Sequence, residues 1–194
     1  TFAAESIWGG WLDNVAFPNS GPLNNPDVFG TAWMMSVGAV MTESLAYNLM
    51  LVFIMALNVA AVICFAKCWT RSIPAIVLAT IVFAWSPTLL SYAFAGAITD
   101  VAHVWPFPMG FALIHQSLHP LTTENAVIFW KAITAGAVFG AGFSICPYNF
   151  VLFTPLALPL VIWAFSKYSP RNTIKILVTT GLVAAVITAP YAAQ

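Results

Sequence analysis

Apolar runs long enough to cross a bilayer recur along this chain, separated by short polar segments. Tyr47 to Ala66 is twenty residues interrupted only by Asn48 and Asn58. At 1.5 Å per residue that is sufficient for a hydrocarbon core roughly 30 Å thick. Ile73 to Ala95 follows, with Pro74 in the first turn, where a missing amide donor does little harm, and Pro87 placed to kink its far part. Trp105 to Leu118 is shorter and holds two prolines, so its pattern alone suits a re-entrant piece as well as a crossing. Ala126 to Ile145, Val151 to Phe165 and Ile174 to Ala189 complete the series, the first two joined by a tight turn at Pro147-Tyr148-Asn149. Gly136 and Gly140 form a small-xxx-small spacing that lets another helix approach closely. Before the first run, Trp8, Trp11, Phe17 and Trp33 stand among Gly, Pro and Asn, which predicts an interfacial segment with a short helix around Val28 to Met41.

Charge decides the ambiguous segment. Lys67 and Arg71 share one connection, Lys167, Arg171 and Lys175 another, and Lys131 lies early in the Ala126 run. Glu5, Asp13, Asp27, Glu43 and Asp100 fall in the alternate segments. Positive loops stay cytoplasmic during insertion, so counting Trp105 to Leu118 as a crossing puts all six cations on one side. The expectation is an all-α polytopic membrane protein with about six transmembrane helices, an external interfacial segment over 1–46 and a helical domain over 47–194. The acidic loops are then external.

Composition fits this class. The chain is 61% hydrophobic and 6% charged, against roughly 25% charged residues in soluble domains. A net charge of zero and dispersed cations leave no phosphate-tracking groove, so nucleic acid is not a partner. Cys64, Cys68 and Cys146 are too few and too scattered for a metal site and read as free thiols. The chain opens on Thr1 without a signal-like region, which suggests a processed chain or a piece of a longer one.

No P-loop, GxGxxG, HExxH, GxSxG or CxxC occurs. The candidates for chemistry are external carboxylates. Asp13 and Asp100 would converge from separate outer loops on a divalent cation, Mg or Mn given oxygen ligands, or one of them would act as general base on an acceptor hydroxyl. The plainer reading is that they are solvated and simply excluded from the membrane. Asp27 reads as a helix N-cap, and Glu43 marks the entry to the first run. His103 stands three residues after Asp100 and would assist it in binding substrate. His115 and His119, four apart, share a helix face suited to a porphyrin, or else find local hydrogen bonds near the interface. Asn48 and Asn58 bond between helices unless they face a cavity, where Asn48 would contact substrate. A transporter would need a midplane polar site, and none is found in the sequence.

Phe17-Pro18-Asn19-Ser20-Gly21, Ala46-Tyr47-Asn48-Leu49, Val82-Phe83-Ala84-Trp85-Ser86-Pro87, Gly96 and Trp105-Pro106-Phe107-Pro108 occur in an order similar to that of GT-C superfamily glycosyltransferases. Phe17 to Met109, about half the chain, most resembles family 39 and its uncharacterised relatives. The resemblance implies a GT-C-like partial core in a bacterial inner (plasma) membrane. Its activity would be transfer of a sugar from a polyprenyl-phosphate donor to an acceptor on the external face. Such enzymes place an essential acid in the first external loop, which falls on Asp13, with Glu5 as a substitute, and Asp100 occupies the second. The paired acidic motif of the superfamily is absent. The alternative is a non-catalytic accessory or scaffold subunit, with other membrane-complex subunits and membrane lipid as partners.

Overall fold

The computed structural model describes residues 32–33, 36–84, 86, 102–119 and 125–192. Among these there is no strand. Six helices follow one another: α1 (Glu43–Trp69), α2 (Ile73–Ala84), α3 (Pro106–Leu118), α4 (Asn125–Ile145), α5 (Pro147–Lys167) and α6 (Pro170–Ala192). Three stretches are long and apolar enough to cross a membrane, Ser44–Trp69, Ile128–Ile145 and Pro170–Ala189, with shorter apolar helices at Ile73–Ala84 and Phe153–Lys167. The chain is a helical membrane protein. Its outer surface agrees, since Val52, Ile81, Val82, Leu158 and Val186 are each more than half exposed, as suits side chains facing hydrocarbon.

Helix ends follow local chemistry. α1 and α5 each carry a lysine in the last turn, Lys67 and Lys167, where it meets the negative end of the helix dipole. α3 and α5 open on Pro106 and Pro147, at the position where proline's missing donor costs least. Pro155 and Pro159 lie within α5 without ending it. Of the interfacial helix expected over Val28 to Met41, residues 32–33 and 36–37 are helical, and the Trp33 indole donates to the Ala46 carbonyl at 2.9 Å.

The glycine spacing is used within the chain. α4 and α6 run parallel, and a Cβ on Gly136 would sit 2.5 Å from the Thr180 carbonyl oxygen and 2.7 Å from Val183 Cβ. A Cβ on Gly140 would meet Ile187 Cβ at 2.7 Å. The Thr180 hydroxyl, buried in this seam, donates to the Ala132 carbonyl at 3.1 Å. Two backbones therefore meet at a distance that only glycine permits.

α3 runs parallel to α1 and antiparallel to α4. Its start lies at Asn58 of α1 and its later turns beside Cys68 and Trp69. Along α4 the order reverses, with Pro106 against Gly142 and Leu118 beside Ala132. Leu118, Ala132, Ala164 and Ile176 join in one core cluster, bringing together one end each of α3, α4, α5 and α6. Lys131, Lys167 and Lys175 stand within three residues of that cluster, and Lys67 precedes Trp69, which rests on Trp163. The cations thus gather at one end of the bundle.

The described helices α2 and α3 are each shorter than a hydrocarbon core roughly 30 Å thick. The described part of the Ile73 to Ala95 run is a twelve-residue helix ending at Ala84; Pro87 and Gly96 lie outside the described residues. α3 has thirteen residues, about 20 Å of rise. Asn58, where α3 begins, is eleven residues from the Trp69 end of α1, or about 17 Å along it. α3 therefore begins partway along α1 rather than at its far end.

Candidate functional site

The start of α3 is held by a buried polar cluster drawn from three elements. Asn58, fully buried on α1, donates from Nδ2 to the Ala102 carbonyl at 2.9 Å and accepts at Oδ1 from the Trp105 amide at 2.9 Å. These two bonds fix the orientation of the amide, because one end meets a carbonyl and the other an N–H. Asn149, in the first turn of α5, donates from Nδ2 to the His103 carbonyl at 3.2 Å. The Trp105 indole N–H donates to His103 Nδ1 at 3.3 Å. An opening helix turn has backbone donors with no partner inside the helix, and here Asn58 takes one of them within the bundle.

Because Nδ1 of His103 accepts, the ring is neutral and carries its proton on Nε2. His103 lies in the loop before α3 and is 1% exposed; burial pushes its pKa down to about 4. Geometry and electrostatics thus agree on a neutral imidazole. A neutral imidazole in this tautomer can donate from Nε2, while its basic nitrogen, Nδ1, is taken by the Trp105 indole. Below this centre Phe107 stacks on Phe153 at 4.3 Å and lies 5.1 Å from Phe150, closing the core around α3.

Of the residues singled out by sequence, the structure places His103 at this centre. Asp13 and Asp100 lie outside the described residues. Asn48 is exposed on α1 and is not brought together with His103. Ten residues separate it from Asn58, which turns it by about 80° around the helix and moves it about 15 Å along. The polar contact comes from Asn58 instead. Asn149 was not expected, although an asparagine directly after Pro-Tyr at a helix start is the available signal.

His115 and His119 stack at 6.0 Å, but each is packed with aromatic neighbours: His115 lies flat on Trp163 at 5.2 Å, and His119 meets Tyr168 edge-on at 6.3 Å. They belong to the aromatic packing at the basic end. Among the described residues no three His, Cys, Asp or Glu side chains gather where a metal could be held. Cys64, Cys68 and Cys146 are free thiols. Comparison of the chain with protein-family models, with curated proteins and with solved structures finds no match.

Proposed function

We propose that the chain is a GT-C-like membrane protein with six crossings that transfers a sugar from a polyprenyl-phosphate donor at its acid-bearing face, set in an inner membrane with its basic end cytoplasmic. The observation that carries this reading is the fastening of the Trp105-Pro106-Phe107-Pro108 motif. That motif opens a half-length helix pinned to α1 by Asn58, so the described end of the loop, Ala102 to Trp105, enters the bundle between α1 and α5. Asp100 stands two residues before Ala102 in the same loop. On this reading Asp13 and Asp100 bind a divalent cation or activate the acceptor, and His103 orients substrate.

The test is transfer from a lipid-linked sugar by protein in vesicles. Asp13→Asn and Asp100→Asn each keep shape and remove charge, and each should lower the rate on the order of 100-fold or more without preventing insertion. Full activity in both variants eliminates the site. One observation favours the accessory reading: the side chains of Asn58 and Asn149 are both bonded to backbone, a structural use of the polar centre. A scaffold would co-purify with partner subunits in mild detergent and keep them when both aspartates are neutralised. A chain that purifies alone and transfers a sugar excludes it.

A further inference from the structure

The opening turn of α3 leaves no backbone donor over. A helix ordinarily begins with several amides that find no acceptor within it. In α3 the first and third helical residues are Pro106 and Pro108, which have no N–H to place. Between them the Phe107 amide donates to the Val104 carbonyl at 3.3 Å, and Met109 starts the helical ladder by donating to the Trp105 carbonyl at 3.2 Å. Ahead of the helix, the Trp105 amide is taken by Asn58 Oδ1, and the Val104 amide by the Ala102 carbonyl at 3.0 Å. From Val104 to Met109 each amide hydrogen is therefore either engaged or absent.

The carbonyls show what the prolines release. A donor at position 106 would look back to 102 or 103, and a donor at 108 to 104. Ala102 instead accepts from Asn58 of α1, His103 from Asn149 of α5, and Val104 from Phe107. The turn is also closely packed: Pro106, Phe107 and Pro108 are buried, and a Cβ on Gly142 of α4 would lie 2.5 Å from Pro106 Cβ. Pro74 and Pro170, in the first turns of α2 and α6, are by contrast exposed. We infer that Pro106 and Pro108 serve as residues without an N–H. They let α3 begin inside the bundle and leave the Ala102 and His103 carbonyls to the asparagines of α1 and α5, which tie three helices at the His103 centre. This helix start then holds no anion, because the amides that bind anions at other helix starts are removed or occupied here. The inference concerns the backbone of the polar centre and holds whether or not a sugar is transferred there.

Replacing one proline either by alanine or by the α-hydroxy analogue of alanine, lactic acid, isolates the N–H. Both replacements delete the same ring atoms and leave the same methyl group, and only the ester lacks the amide hydrogen. Equilibrium unfolding of the full chain in mixed micelles compares them. Pro106→Ala should unfold with an equilibrium constant roughly fivefold or more above that of the ester, because a buried donor without an acceptor is a costly defect. Pro108 should behave in the same way, and decides the matter if neither replacement at 106 folds. At exposed Pro170 the new N–H meets water, so the ester should have no advantage. In an Asn58→Leu background the Ala102 carbonyl has a place open for a donor at 106, and the gap between Pro106→Ala and its ester should narrow. Alanine as stable as the ester at both 106 and 108, an equal ester advantage at Pro170, or a gap unchanged by Asn58→Leu would each overturn the inference.

Discussion

Two asparagines on one helix should respond oppositely to the same substitution. Asn58→Leu removes a donor and an acceptor from a fully buried position, leaving the Trp105 amide without its partner at 2.9 Å, while the Ala102 carbonyl keeps the Val104 amide at 3.0 Å. A buried polar group stripped of its partner costs about 1–3 kcal/mol, which sets an upper limit near 3 kcal/mol. Interhelical hydrogen bonds in a bilayer average only about 0.6 kcal/mol, because the unfolded chain also finds partners there. The loss expected for Asn58→Leu therefore lies between these limits, at about 1–3 kcal/mol. Asn48 is exposed, so Asn48→Leu replaces an amide facing lipid by an alkyl group and should be neutral or stabilising. Equilibrium unfolding in mixed micelles, followed by tryptophan fluorescence, measures both. If Asn58→Leu is no less stable than Asn48→Leu, the pinning of α3 to α1 is wrong.

The glycine seam makes a parallel contrast: Gly136→Leu and Gly140→Leu should abolish or strongly destabilise folding, whereas Gly181→Leu, where an added Cβ has nothing within 4 Å, should fold normally by size-exclusion and unfolding assays. Stability should also depend on pH through His103. Its pKa falls from the ordinary 6.5 to about 4 on folding, so protonation favours the unfolded chain. The contribution is complete above pH 6.5 and is lost as pH falls toward 4, a decline in Tm that His103→Gln should reduce. For topology, single cysteines in a background lacking Cys64, Cys68 and Cys146 should be labelled from outside at Ser20 and Thr99 and protected at Ser72 and Ser169. External labelling at Ser169 overturns the orientation, and protection at Thr99 overturns the six-crossing count.

The fold was legible where hydrophobicity and charge speak for whole elements. The run from Tyr47, the Ala126 run and the final run all appear as helices, extended by one to four residues at their ends, because an unbroken apolar stretch in lipid has no way other than helix to satisfy its backbone. The Gly136 and Gly140 spacing correctly announced a close helix neighbour, and only the structure shows that the neighbour is α6 of the same chain. The site was less legible for a reason of scale. Asn48 and Asn58 look equivalent in a sequence because each is one amide in an apolar run. What separates them is the approach of a segment more than forty residues away.

The crossing count shows where the charge rule stops. α2 leaves the basic end and α3 returns to it, and the two reach similar heights, since Phe83 of α2 and Phe107 of α3 both pack on Phe153. Their described helices cover about 18 and 20 Å, against a hydrocarbon core of about 30 Å. A pair of legs that goes up and comes back leaves Lys131 and the Lys167 connection on the same side whether or not it reaches the far surface. Charge placement therefore fixes the parity of the α2–α3 pair and not its depth: four full crossings with a re-entrant pair satisfy the positive-inside rule as well as six do. A half-length helix packed against the middle of α1 also requires that its opening turn be satisfied inside protein rather than by water or lipid. The Asn58 and Asn149 contacts meet that requirement, which is the physical reason a polar centre stands in the interior of so apolar a chain.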